Sequence, residues 1–407
     1  MRTLSVLSIL MTSSLLPAAD SVIANFKMQE IATDLTVGYA TIIADVNGDG
    51  KPDIVVVDSK RVVWYENPTW KVRPIIMGKT KPDNVCITAL DVDGDGALDL
   101  VLGADWAPFN TKAGGTLQWL KRGKSLDDEW SIFPIGEEPT IHRVRTADLD
   151  GSGKRVIVHV PLMGRESTKE ANWMDGRPVR VVAYPVPKDP IKGPWEPLVL
   201  NEDLHVCHNF FPFPVAKGQA EDIMVASYEG LFQLHREDKK WTATKVGAGN
   251  QANPKSNRGA SEVKVGQLKG EQRYAATVEP WHGNEIVVYP FGSKGKDGLW
   301  ERVMIDDHLR WGHGVWCADL DGDGDEELII GVRDNPGKDD KFTEKCGVRI
   351  YKSLDASRTK WTRQIVDDGG VAVEDLTVAD LNADGKPDIV SVGRKTGNAR
   401  IYWTQGK

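Results

Sequence analysis

The stretch ADVNGDGKPDIVVV, residues 44–57, decides the fold. Oxygen-bearing side chains alternate at Asp45, Asn47 and Asp49, and a further acid follows at Asp53. Gly48 and Gly50 let the chain turn sharply between them, and the β-branched run that follows reads as a strand buried on both faces. Such a segment joins two strands and can wrap one hard cation in carboxylate and carbonyl oxygens.

The outline returns along the chain. LDVDGDGALDLVLG (90–103) supplies Asp91, Asp93, Asp95 and Asp99. ADLDGDGDEELIIG (318–331) supplies Asp319, Asp321, Asp323 and Glu327, and ADLNADGKPDIVSV (379–392) supplies Asp380, Asn382, Asp384 and Asp388. A fifth copy, Asp148-Asp150-Ser152, has Val156 where the last acid belongs, and two more, at 213–227 and 263–278, keep only the strand–loop–strand outline. A second period checks the count. Trp70, Trp130, Trp195, Trp241, Trp300 and Trp361 are each followed five residues later by Ile75, Ile135, Leu200, Val246, Ile305 and Val366. Phe26 and Ile31 form a seventh pair, ahead of the first loop.

Each unit reads as four short strands between Gly, Asp and Pro turns. The expected fold is all-β: one seven-bladed β-propeller over residues 20–407, with four-stranded blades. The last unit ends at ARIYWTQGK after three strands, so NFKMQEIATDL near the N-terminus is expected to supply its outer strand and close the ring. Residues 1–19 read as a secretory signal, with a basic start, a short apolar run and PAAD, which predicts a periplasmic or extracellular protein with no membrane span. The net charge of −8, much of it in Asp-rich loops, argues against a nucleic-acid partner. Cys86, Cys207, Cys317 and Cys346 are irregularly spaced, and the sequence does not assign a disulfide.

The loop motifs resemble FG-GAP/VCBS repeats, found in integrin-head-like propellers and many secreted bacterial ones. That resemblance implies the propeller and structural Ca²⁺ in the loops, while leaving function open. No catalytic or anchoring domain is expected beside the propeller.

Function is sought at the other end of the same strands. Six residues before the first loop position the seven units give Tyr39, Val85, His142, His208, Ser261, His313 and Glu374. Eight histidines in the chain would place about 0.14 in seven such slots by composition alone, whereas three are found. Inner strands of a propeller converge on its channel, and about six residues at roughly 3.3 Å each put this ring some 20 Å from the acidic loops. The second strand of each unit returns to the ring, bringing Asp105, Trp106, Tyr228, Glu229, Trp281, His282, Arg333, Asp334, Arg394 and Lys395 to the mouth.

His142, His208 and His313 are therefore candidate ligands for a transition metal such as Zn²⁺ or Mn²⁺. Glu374, Glu262 and His282 are candidate bases, with Arg333 as a charge-stabilising group. Asp105, Trp106, Tyr228, Trp281 and Arg394 suit a saccharide, through aromatic faces and groups for hydroxyls or a carboxylate. His159, His205 and His235 read as structural, and His308 lies within reach of the mouth. The His-before-loop pattern more distantly resembles the propeller domain of aldos-2-ulose dehydratases. This implies a metal-assisted lyase or dehydratase acting on a keto-sugar, without the cupin domains that follow the propeller in that family. The competing reading is a non-catalytic propeller that binds glycans or a surface protein.

Overall fold

The computed structural model describes residues 21–406, apart from Lys217, Lys239 and Asp339. The expected signal at 1–19 lies outside the described residues. Seven four-stranded antiparallel sheets surround one axis. Blade 7 is shared between the chain ends: β1 (Asn25–Ala32) forms its outer strand. Blade 1 holds β2 (Gly38–Ala44), β3 (Asp53–Asp58), β4 (Arg61–Glu66) and β5 (Lys71–Met77). Blade 2 holds β6 (Cys86–Leu90), β7 (Asp99–Ala104), β8 (Thr116–Lys121) and β9 (Ser131–Glu137). Blade 3 holds β10 (Ile141–Ala147), β11 (Val156–Pro161), β12 (Val179–Tyr184) and β13 (Leu198–Leu204). Blade 4 holds β14 (Asn209–Pro214), β15 (Glu221–Ser227), β16 (Gly230–Glu237) and β17 (Lys240–Gly247). Blade 5 holds β18 (Val263–Leu268), β19 (Gln272–Glu279), β20 (Glu285–Pro290) and β21 (Val303–Asp306). Blade 6 holds β22 (Gly312–Ala318), β23 (Glu327–Val332), β24 (Gly347–Ser353) and β25 (Trp361–Ile365), and β26 (Val373–Ala379), β27 (Asp388–Gly393) and β28 (Ala399–Gly406) complete blade 7.

Closure runs as the sequence implies. β1 pairs antiparallel with β28, Phe26 opposite Thr404 and Gln29 opposite Ile401. The second strands β3, β7, β23 and β27 are buried along their whole length, because each blade face packs on a neighbouring blade. This explains the unbroken apolar runs after each acidic loop. The final acid of each complete loop opens the second strand and is buried: Asp53 0%, Asp99 1%, Glu327 1% and Asp388 0% exposed. Asp388 accepts N–H groups from Leu381 (3.1 Å) and Thr404 (2.9 Å), and Asp53 does the same for Val46 and Asn67 (both 2.9 Å). These carboxylates therefore tie loop to third strand whether or not an ion is bound. All four cysteines are free thiols. No helix among the described residues is long and apolar enough to cross a membrane.

His159 on β11 is 2% exposed and stacks on Tyr184 with ring centroids 5.7 Å apart. Burial, reinforced by Arg180 and Arg165, lowers its pKa to about 3. The folded protein thus keeps this ring neutral while the unfolded chain protonates it below about pH 6.5. Stability is unaffected by this group above that pH and is lost as pH falls toward 3, by up to roughly 1.4 kcal/mol per unit. We expect thermal unfolding of His159→Phe to show a shallower decline between pH 6 and 4 than the parent protein. Equal slopes would contradict this.

Candidate functional site

The inner strands bring the seven-residue ring together at one mouth of the channel. His142, His313 and Glu374 are second residues of β10, β22 and β26, and His208 immediately precedes β14. Each strand then runs to the loop end, so equal strand lengths keep these side chains level. All four are buried: His142 4%, His208 1%, His313 3% and Glu374 5% exposed.

His208 is the hub. Its ring centroid lies 4.5 Å from His142, 5.0 Å from His313 and 4.6 Å from His282. His142 Nδ1 donates to the His208 carbonyl at 2.9 Å, and His313 Nδ1 donates to the Glu374 carbonyl at 2.5 Å. A carbonyl only accepts, so both neutral rings carry their proton on Nδ1 and present an Nε2 lone pair. His208 Nε2 stands 2.8 Å from His282 Nε2. Burial, with nearby arginines, lowers the pKa of all four rings, and for His142, His282 and His313 the neighbouring imidazoles add to it. Neutral imidazole is the ligating form.

At the mouth, the ligand atoms of His208, His282 and His313 all lie within 4.8 Å of one another; among the described residues the acidic groups Asp91–Asp93–Asp99, Asp319–Asp321–Glu327 and Asp306–Asp307–His308 cluster as closely elsewhere. His142 packs against His208 outside the histidine set. His282, nominated as a base, comes from the returning end of β19, where Trp281 stacks on it at 4.1 Å and 10°. Trp281 thereby fixes the imidazole plane.

Two carboxylates flank the cluster in different ways. Glu262 Oε1 lies 2.7 Å from His208 Nδ1, on an approach too oblique for a good hydrogen bond. It also accepts from Arg143 at 3.3 Å, while Oε2 accepts from Asn209. Glu374 Oε1 accepts from Arg394 at 2.6 Å and lies 4.0 Å from His313 Nε2, whereas Oε2 is buried with no hydrogen-bond partner among the described residues. Burial raises both carboxyl pKa values against the pull of the neighbouring arginines. Glu262 is held on every side, and Glu374 has a free oxygen.

The remaining mouth residues divide likewise. Trp106 lies 5.8 Å from His142 and 5.7 Å from Tyr39, and the indole N–H groups of Trp106 and Trp281 are buried with no hydrogen-bond partner among the described residues. Arg394 covers Tyr39 at 5.4 Å. Arg333 pairs with Asp334 at 3.0 Å, and Lys395 reaches the same carboxylate at 2.7 Å. Asp105 holds a left-handed backbone (φ 55°) and pairs with Lys81 at 3.2 Å. Tyr228 is 1% exposed, 6.1 Å from Trp281. His205 is bound to Glu229 at 2.9 Å, His235 to Thr242 at 2.9 Å, and His308 to Asp306 at 3.2 Å, so these three serve their own loops. Sequence reasoning missed Arg143 and Asn209, although each directly follows a ring histidine.

At the far end the acidic loops share one backbone plan. Asp45, Asp91 and Asp319 each accept N–H groups three and five residues on, for example Gly48 at 2.8 Å and Gly50 at 2.9 Å to Asp45. They differ at one register position of the third strand. Strand pairing aligns Tyr65, Leu120, Tyr351 and Tyr402, so the next residues, Glu66, Lys121, Lys352 and Trp403, are equivalent. Lys352 Nζ sits 2.5 Å from Asp321 and from Asp323, and 3.4 Å from Glu327. Lys121 Nζ likewise contacts Asp93, and lies 2.8 Å from Asp95. In blades 1 and 7 the nearest lysines, Lys51 and Lys386, stay 3.8 and 3.7 Å from Asp49 and Asp384 on the surface.

Comparison with known proteins agrees with this architecture. Residues 114–291 match the family model of the aldos-2-ulose dehydratase beta-propeller domain, and residues 45–102 and 319–391 match that of the FG-GAP-like repeat. Aldos-2-ulose dehydratase of Phanerodontia chrysosporium is 26% identical over 300 residues, covering 69% of this chain and 32% of that protein. The chain is thus distantly related to that protein and spans about a third of its length. Crystal structures of BBS1N in complex with ARL6DN, soaked with lead or with mercury, superpose with TM-scores of 0.55 and 0.54 at 12% and 11% identity. Each alignment covers 94% of this chain and 97% of the other, and shows a shared fold only.

Proposed function

We propose that this propeller is a carbohydrate lyase, a dehydratase of a keto-sugar or related saccharide working at the histidine mouth. One observation carries the reading: four buried neutral imidazoles converge beside a carboxylate with an uncommitted oxygen. The donor chemistry fits a metal, because the ligand atoms of His208, His282 and His313 all lie within 4.8 Å of one another and His313 offers an Nε2 lone pair, while the His208–His282 Nε2 hydrogen bond at 2.8 Å would give up its proton to the ion. Zn²⁺ or Mn²⁺ held there by His208, His282 and His313 would supply Lewis-acid polarisation of a substrate carbonyl.

The chain's own groups account for the rest. The Trp106 and Trp281 N–H groups bind sugar oxygens, and their faces position the ring. Glu374 Oε2, raised in pKa by burial, takes the acidic proton next to the carbonyl, and Arg394 holds the other oxygen in place. The electron pair left on carbon expels the neighbouring hydroxyl, and the same carboxylic acid returns a proton to it, releasing water. Arg333 and Arg394 offset negative charge on the enolate oxygen. Glu262, 2.7 Å from His208 Nδ1, acts through that ring and is a positioning residue. The test is incubation with keto-sugars such as 1,5-anhydrofructose, following enone absorbance. Loss of the signal in Glu374→Gln supports the assignment, and unchanged turnover in that variant refutes it.

In the same reading the protein works outside the cytoplasm and binds structural Ca²⁺ in the loops of blades 1 and 7. In blades 2 and 6, whose acids also lie close enough together to hold an ion, the Lys121 and Lys352 ammonium groups contact the same carboxylates and compete with Ca²⁺ for them. Lys352→Met is expected to raise calcium content by one per chain, and Lys121→Met likewise, as read by elemental analysis. Unchanged calcium in both variants would refute the lysine role.

A further inference from the structure

Beside the histidine cluster lies an open cavity of about 800 Å³, which shares only Trp281 with the proposed chemistry. Its inner wall is Tyr228 and Trp281, the indole that stacks on His282. Its outer wall comes from irregular connections in blades 2 and 3, where Phe109, 69% exposed, lies parallel to Trp173 at 5.7 Å and 18°. The blade 3 segment is anchored across the cleft, because Asn172 donates to the Ser256 carbonyl at 3.0 Å. Asn172 and Trp173 hold left-handed backbones (φ 53° and 62°), a strained conformation that places the indole against the cleft.

The lining of this cleft is net positive. Lys112, Lys169 and Lys255 line it with no ion pair among the described residues, and Glu170 is the one acidic residue among those lining it. On a chain of net charge −8, this concentrates positive potential beside the reaction centre. Its volume lies toward the upper end of the roughly 300–1,000 Å³ common for ligand sites, more than one sugar ring requires.

We propose that the cleft holds successive units of a carboxylate-bearing oligosaccharide whose reacting unit sits at the histidines. The Phe109–Trp173 platform stacks on a distal ring, and the lysines meet carboxylates along the chain. The inference rests on the proposed function only for the position of the reacting unit; binding in the cleft stands separately.

Isothermal titration of galacturonic acid, its hexamer and neutral maltohexaose tests it. The acidic hexamer is expected to bind about tenfold or more tightly than the monomer, with affinity falling as salt rises. Phe109→Ala should weaken hexamer binding by roughly tenfold and spare the monomer. Lys112→Gln/Lys169→Gln/Lys255→Gln should weaken it similarly and flatten the salt dependence. These four side chains are surface groups, so the variants test binding without disturbing the core. Equal affinity for monomer and hexamer, equal binding of maltohexaose, or unaffected variants would overturn the proposal. Turnover of small keto-sugars with no such length dependence would overturn the cleft alone. Length-dependent uronate binding without any elimination would leave the cleft standing and overturn the proposed reaction.

Discussion

His208→Ala should reduce elimination by on the order of 10³ in kcat/KM and remove the transition metal while leaving the propeller folded. The reason is position. His208 touches His142, His282 and His313. Alanine removes one of the three convergent ring nitrogens and leaves His282 Nε2 without its partner. Glu262 retains Arg143 and Asn209, so its charge stays compensated and the core survives. Glu262→Gln should cost less, roughly 10- to 100-fold, because it alters only the support of His208. Parent-like rates in His208→Ala would show that the cluster is architectural.

Deleting residues 21–32 should abolish cooperative folding, at a cost of more than about 5 kcal/mol, comparable to the whole stability of many domains. β1 occupies the whole outer edge of blade 7, and its loss exposes the row of unpaired groups on β28. The segment is also anchored by side chains. Ile23 and Ala24 are 2% and 0% exposed, and Gln364 accepts the N–H of Ile23 at 2.5 Å. Glu30 pairs with Arg400 at 2.9 Å, and Trp403 donates to Gln29 at 2.9 Å. Calorimetry showing a parent-like transition in the truncated chain would contradict closure by this strand.

The fold was legible because its period is physical. Each second strand must be apolar on both faces and each loop must turn within a few residues, so even the units at 213–227 and 263–278, which lack the alternating loop acids, kept their outline. The histidine ring was legible for a related reason: inner strands of nearly equal length hold one offset level. What escaped lies where no period operates. Glu262 meets Arg143 across 119 residues of sequence. Lys121 and Lys352 enter their loops from the third strand, at a register that pairing alone reveals. His282 was placed at the mouth and nominated for proton transfer, whereas its direct contact with His208, at 2.8 Å between the Nε2 atoms, depends on a left-handed turn that no period signals. The cleft wall comes from the connections at 105–115 and 162–178, long beside the two-residue turn at Ser59 and Lys60. That contrast in loop length was the available signal.

The most direct test of the central claim is elemental analysis of the purified protein beside a His208→Ala/His282→Ala/His313→Ala variant. The account predicts one transition-metal ion per chain in the parent, none in the variant, and equal calcium in both. A parent protein that takes up no transition metal when supplied with Zn²⁺ or Mn²⁺, or a variant that retains it, would contradict a metal centre at the propeller mouth.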